Sequence, residues 1–192
     1  MNLDLGDTRL IIATGKRNNL LRNQLAYVLA TAFWETAHTM KPVKEAFYLE
    51  GRISNLDTWR KKNLRYYPWY GRGYVQLTWE RNYRKAGGIL GADLTTDPDV
   101  VMQPSIAAEI LVRGSMGGWF TGKGLEHYIT LKKSDFVGAR RIINGTDKAQ
   151  EIAQIARDYD YALLDMGYGV DLTAKEPEPK QSWWRKLRGH FA

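Results

Sequence analysis

The sequence predicts a mostly helical α+β domain, and three observations carry that expectation. Leu21, Leu25, Val28 and Ala32 recur at alternating steps of four and three within residues 19–38, the spacing of an apolar stripe along one side of a helix. Ile152, Ile155, Tyr159 and Leu163 line one side of a second such pattern over residues 147–166. Between the two, Tyr74-Val75-Gln76-Leu77-Thr78-Trp79 alternates polar and apolar side chains after Gly71-Arg72-Gly73, which predicts one short strand or extended segment with Gln76 and Thr78 on a common face.

Taken in order, the first helix leads directly to Glu35, the next position on its apolar stripe. Residues 40–67 are irregular and rich in Lys, Arg and aromatics, so a long loop with short helical turns is expected there, forming one wall of a cleft. Helical patterns return over residues 79–86 and 105–113. For the last helix, Asp147 with Gln150 resembles a capping box and Gly167 suits a C-terminal cap. The stretch DLTAKEPEPK, with two prolines, breaks any helix. The expected organisation is therefore a catalytic domain over residues 1–170, a linker over 171–180 and a tail over 181–192. In that tail Trp183, Leu187 and Phe191 fall four apart among Arg185, Lys186 and Arg188, the pattern of a short basic amphipathic helix.

Composition narrows the function without choosing it. The 192 residues suit one ordinary domain, and no apolar run approaches the length of a membrane span. With no cysteine the chain has neither a disulfide nor a thiolate metal site. Seven Trp and eleven Tyr exceed what a core of this size needs, and flat rings are common floors of sugar and nucleobase sites. A net charge of +7 implies an anionic partner, with nucleic acid, anionic lipid and acidic envelope polymers all qualifying. Asp4 and Asp7 precede a very short apolar stretch at the N-terminus, the wrong charge order for a secretory signal, so synthesis in the cytoplasm is expected.

The chemistry centres on carboxylates. A glutamate carried on an apolar stripe is partly desolvated, which disfavours its charged form and suits Glu35 to general acid work. The competing readings are that the helix frays before Glu35 or that the side chain pairs with a buried arginine. Glycoside hydrolysis needs a second carboxylate facing the first across a cleft, and Glu45 and Glu50 in the following loop are the candidates. His38 lies three residues after Glu35, but without cysteine or a His-Glu-x-x-His pattern no metal site is expected. Gly71-x-Gly73 lacks the third glycine of a dinucleotide motif, and no cofactor is expected either.

The segment PWYGRGYVQLTWERNY, residues 68–83, resembles the YGRG-x-x-QL-[ST]-x-x-x-NY signature of family 19 glycoside hydrolases. Phe33-Trp34-Glu35-Thr36 resembles that family's His-Glu-Thr segment, and Ala139-Arg140-Arg141-Ile142-Ile143-Asn144-Gly145 resembles its Arg-Arg-x-Ile-Asn-Gly block. The three occur in the family's order, and the chain as a whole resembles its phage endolysin branch more than its plant chitinases. The resemblance implies a lysozyme-like fold of two helical lobes flanking a substrate cleft, and an inverting mechanism. It assigns Glu35 as acid, prefers Glu45 over Glu50 as base, and gives Thr78 the attacking water. Asn144 would bind water or sugar, while Gln76 and Asn82 would hydrogen-bond sugar N-acetyl or hydroxyl groups. Trp34 stands where the family usually has His, Thr36-Ala37-His38 replaces the common Ser/Thr-Gly-Gly, and Arg81 sits where plant members have Tyr.

The leading expectation is an endolysin of muramidase type that cuts peptidoglycan between N-acetylmuramic acid and N-acetylglucosamine. It would be a monomer made in the host cytoplasm, reaching the periplasm and wall through a separate pore and causing lysis. A chitinase is the alternative, and a non-catalytic basic protein binding envelope or nucleic acid is a third reading; under the leading one no nucleic acid is bound. Trp183, Trp184, Arg185, Lys186 and Arg188 would contact anionic envelope lipid, against the alternative that the tail packs on its own domain. Deleting residues 181–192 is expected to weaken binding to intact cells while leaving hydrolysis of soluble fragments alone; a cell-pelleting assay measures this, and unchanged pelleting refutes it.

Overall fold

In the computed structural model, which describes residues 1–169, helices dominate. The order is α1 (Thr8–Arg17), α2 (Arg22–Glu35), β1 (Val43–Lys44), α3 (Leu56–Asn63), β2 (Arg72–Gly73), α4 (Glu80–Leu90), α5 (Pro104–Gly117), β3 (Ile129–Thr130), β4 (Lys133–Ser134) and α6 (Ala149–Asp165). The strands form two antiparallel pairs, β1 with β2 and β3 with β4. The mostly helical α+β class expected from the sequence is the class observed. The linker and tail expected over 171–192 lie outside the described residues.

α2 is the centre of the molecule. Every residue from Leu25 to Ala32 is buried, so the four-residue stripe seen in the sequence understates a helix covered on all sides. Its most extensive neighbour is α6, where Ala149, Ile152, Ala153, Ala156, Tyr159 and Leu163 are buried at helical spacing. Ala26, Ala30 and Ala32 on α2 and Ala153 and Ala156 on α6 belong to one apolar cluster, and small side chains allow two helices to pack closely. Arg22 and Asp160 pair across the same two helices at 2.9 Å. α1, which the pattern reading did not anticipate, packs on α5.

Two local expectations need correction. The capping box at Asp147 does not form: Lys148 is the N-cap of α6, with φ 57° and no side-chain cap bond, so Asp147 lies one residue too early to receive the helix N–H groups. The other end is as expected. Gly167 has φ 77° and donates to the Leu164 carbonyl, while Tyr168 donates to that of Leu163, the paired pattern of a Schellman cap.

The second correction concerns residues 74–79. They form a tight turn rather than a strand, closed by reciprocal backbone bonds between Arg72 and Leu77. Gly73 permits it with φ 85°. At Gly71 a Cβ would come within 2.6 Å of Gln76 Oε1, so a side chain there would displace the Gln76 amide from its place against the turn. Strand β1 pairs with the start of this turn, Val43 opposite Gly73 and Lys44 opposite Arg72.

Beneath the turn, Arg72 is buried and its guanidinium is engaged through Nε and Nη1. It donates to Asp99 Oδ1 at 2.7 Å, to the Pro68 and Tyr70 carbonyls, and to the Tyr83 hydroxyl. Lys44 reaches Asp99 Oδ2 at 2.6 Å. Burial works to raise the Asp99 pKa, but the hydrogen bonds from Lys44 and Arg72 outweigh it and hold the carboxyl below its ordinary value. A folded-state value below the unfolded one stabilises the fold above the ordinary carboxylate range, and that stabilisation fades as pH falls through the folded value. Asp99 is half exposed, so screening limits the pair to about 1 kcal/mol. Asp99→Asn is expected to lower stability by that order at pH 7 and to lose the difference from wild type at strongly acidic pH, as read from urea melts across pH.

Candidate functional site

Glu35 is the last residue of α2. Thr36 seals the helix end, donating through its hydroxyl to the Ala32 carbonyl and accepting from the Met40 N–H. The glutamate is 20% exposed, and its Oε1 accepts from Arg140 Nη1 at 2.8 Å. Arg140 is 5% exposed, on the 3₁₀ turn Gly138–Ile142 before α6, and its Nε donates to the Asp147 carbonyl. Pairing with a buried arginine, one of the two competing readings, is observed, and it is compatible with the acid role because Arg140 engages Oε1 alone. Among the described residues nothing hydrogen-bonds Oε2, which leaves that oxygen available.

Glu45 follows β1 and has every polar group engaged. Its N–H donates to the Gly71 carbonyl at 2.7 Å and its own carbonyl accepts from Arg60 Nε at 2.8 Å. Oε1 accepts from the Tyr66 hydroxyl at 2.6 Å, and Oε2 from the Gly71 N–H at 2.8 Å. Burial first, then the hydrogen bond to Glu45, pushes the Tyr66 phenol up to about 12. Glu50 is exposed after the 3₁₀ turn Phe47–Leu49, and no side-chain hydrogen bond holds it among the described residues.

Four other expected site residues meet in one cavity of about 380 Å³, whose walls include Gln76, Thr78, Asn82 and Asn144 together with Tyr66 and Trp79. Neither carboxylate is on that wall. Glu45 connects to it through Tyr66, which lines the wall, whereas Arg140, the partner of Glu35, is not among the lining residues. Gln76 and Thr78 are neighbours because of the turn and not through strand alternation. Thr78 Oγ1 donates to the Gln76 carbonyl at 2.8 Å, and Asn82 Nδ2 donates to the Thr78 carbonyl at 2.8 Å. Gln76 Nε2 donates to the Val43 carbonyl, and Asn144 Oδ1 accepts from the Gly145 N–H.

Backbone strain gathers at the same places. Ala37 and His38 follow Glu35, Ala46 follows Glu45, and Gln76 and Trp79 flank Thr78, all with φ between 48° and 73°. Left-handed backbone costs a non-glycine residue about 1–2 kcal/mol, and such strain concentrates at functional sites. The sequence reading missed Tyr66, Arg60 and the role of Arg140. Arg140 lay within a block already quoted and Tyr66 just before the signature, but their partners are far away in sequence. His38 is exposed and stacks on Phe33, and among the described residues no group of three His, Cys, Asp or Glu gathers to hold a metal.

Comparison with known proteins bears on the cavity wall. Residues 53–124 match glycoside hydrolase family 19, chitinase class I. The matched segment contains Tyr66, Gln76, Thr78 and Asn82 and stops short of Glu35, Glu45 and Asn144. The chain is 29% identical to an acidic endochitinase of Dioscorea japonica, over 71% of this chain and 58% of that protein. It is 41% identical to chitinase 11 of Oryza sativa subsp. japonica over 58% of this chain and 52% of that protein, and 34% identical to an endochitinase of Phaseolus vulgaris over 58% and 40%. The chain thus spans about half the length of these relatives, which carry plant chitinase names.

The ion pair dictates how Glu35 is probed. Glu35→Gln keeps an oxygen acceptor for Arg140, so its thermal melt is expected near wild type while turnover falls about 10²- to 10⁴-fold, the usual span for losing a general acid. Glu35→Ala leaves a buried guanidinium short of an acceptor and is expected to cost a further 2 kcal/mol or about that. Calorimetry beside a reducing-sugar assay reads both, and undiminished turnover in Glu35→Gln refutes the acid assignment.

Proposed function

We propose that the protein is a glycoside hydrolase acting on polymers of N-acetylglucosamine, with Glu35 protonating the leaving oxygen and Glu45 activating water. The observation that carries this is a polar cavity walled by Gln76, Thr78, Asn82 and Asn144, with two carboxylates on separate segments, Glu35 ending α2 and Glu45 following β1. Acid and base on opposite sides of the scissile bond are what an inverting mechanism requires. The cavity's remaining hydrogen-bonding capacity suits an acetamido sugar. Thr78 has spent its proton on Gln76 and keeps lone pairs for water. Gln76 and Asn82 have spent N–H groups on carbonyls and keep oxygens to accept from sugar N–H or O–H groups. Asn144 accepts with its oxygen and keeps its NH₂ to donate. The Trp79 ring is 40% exposed on the same wall and can stack on a pyranose face. The family 19 match and the chitinase names of the relatives support this substrate class.

A second reading, hydrolysis of bacterial peptidoglycan by an endolysin of the same family, is favoured by charge. Arg65 lines the cavity and Arg81 lines an adjoining groove that shares Trp79, and neither has a carboxylate partner among the described residues. Both could meet the lactyl carboxylate of N-acetylmuramic acid. On this reading the basic tail contacts envelope lipid and the enzyme reaches the wall from the host cytoplasm. Chitin oligosaccharides and purified peptidoglycan digested in parallel separate the two, with mass spectrometry of the new ends and NMR of the anomer released. Chitin oligosaccharides are expected to yield reducing ends of inverted configuration. Cleavage of peptidoglycan alone transfers the conclusion to the second reading, and anhydro products or no sugar release from either polymer refute both.

A further inference from the structure

We propose that Tyr66 is a positioning residue for Glu45, locking the carboxylate in the orientation from which it takes a proton from water. The inference rests on the reading of Glu45 as base and extends it to a residue that the mechanism above does not use. A glutamate side chain in a loop ordinarily samples several rotamers, and a base that wanders by about 1 Å costs orders of magnitude in rate. Here the backbone of Glu45 is held on both sides, by the Gly71 carbonyl and by Arg60 Nε. The two carboxylate oxygens are held differently. Oε2 is bound by a main-chain N–H, that of Gly71, whereas Oε1 depends on the phenol of Tyr66.

Tyr66 is itself fixed to the part of the site that carries Thr78. Its ring packs against that of Trp79, with centroids 5.0 Å apart, and the main-chain N–H of Trp79 donates to the Trp69 carbonyl at 2.9 Å. Trp79 directly follows Thr78. The phenol therefore ties the base to the turn whose hydroxyl would hold the attacking water. With its proton held up to about 12, Tyr66 remains a donor across the whole working range. Because Tyr66 also lines the cavity, a direct contact with sugar is the competing role, and the two make different demands on kinetics.

The test is a double-mutant cycle of Tyr66→Phe, Glu45→Ala and the double variant, assayed on whichever glycan the wild-type protein cleaves. Tyr66→Phe retains the ring packing and is expected to lose about tenfold in kcat with KM unchanged. Glu45→Ala is expected to lose about 10³-fold. Removing the hydroxyl in that background should cost nothing more, since a residue acting through Glu45 has no effect once Glu45 is gone. A raised KM with unchanged kcat, or a full tenfold loss repeated in the Glu45→Ala background, overturns the proposal in favour of sugar contact. Wild-type turnover in Glu45→Ala is a separate failure, which removes the base assignment and the proposal with it.

Discussion

The ion pair between Glu35 and Arg140 ties the end of the most buried helix to the turn that leads into its main packing partner. A carboxylate at the C-terminal end of a helix faces the negative pole of the backbone dipoles, and α2 has no basic residue in its last turn to offset this. The cation is supplied from 105 residues away, on a turn whose position depends on α6 lying along α2. The placement of the candidate acid is therefore inseparable from the packing of the core.

The opposite side of the site depends on a different arginine. Arg72 is buried among four acceptors and lies 3.7 Å from the Tyr70 ring centroid. Those bonds fold residues 68–83 into the turn that presents Gln76 and Thr78, and the Tyr83 hydroxyl completes the network by donating to the Tyr70 carbonyl. The segment matching chitinase class I contains this scaffold entire, together with the larger part of the cavity wall. Both carboxylates lie before it. The match to the family thus covers the framework that holds the amides and hydroxyls of the cavity wall, while Glu35 and Glu45, the candidate acid and base, stand outside that stretch.

The strained residues connect these two parts. Helix α2 must stop abruptly to expose Glu35, and Ala37 and His38 take the positive φ values of that reversal. The chain must turn again after Glu45 for its carboxylate to face Gly71 and Tyr66, which Ala46 absorbs, and Gln76 and Trp79 bracket Thr78 in the same way. Each position gives up local stability that the buried helices restore, so the site is held in place by the core around it.

Helices α2, α4, α5 and α6 and the cap at Gly167 were legible from residue order, because apolar periodicity and glycine conformation are local properties. The gathering of Gln76 and Thr78 was also foreseen, though from a strand that is in fact a turn, since alternation over six residues cannot reveal that Gly73 reverses the chain. Which arginine would meet Glu35, which glutamate would be ordered beside Tyr66, and where Asn144 would join Asn82 depended on contacts between segments tens of residues apart. Those follow from how buried faces fit together in three dimensions, a quantity that no short window of sequence contains.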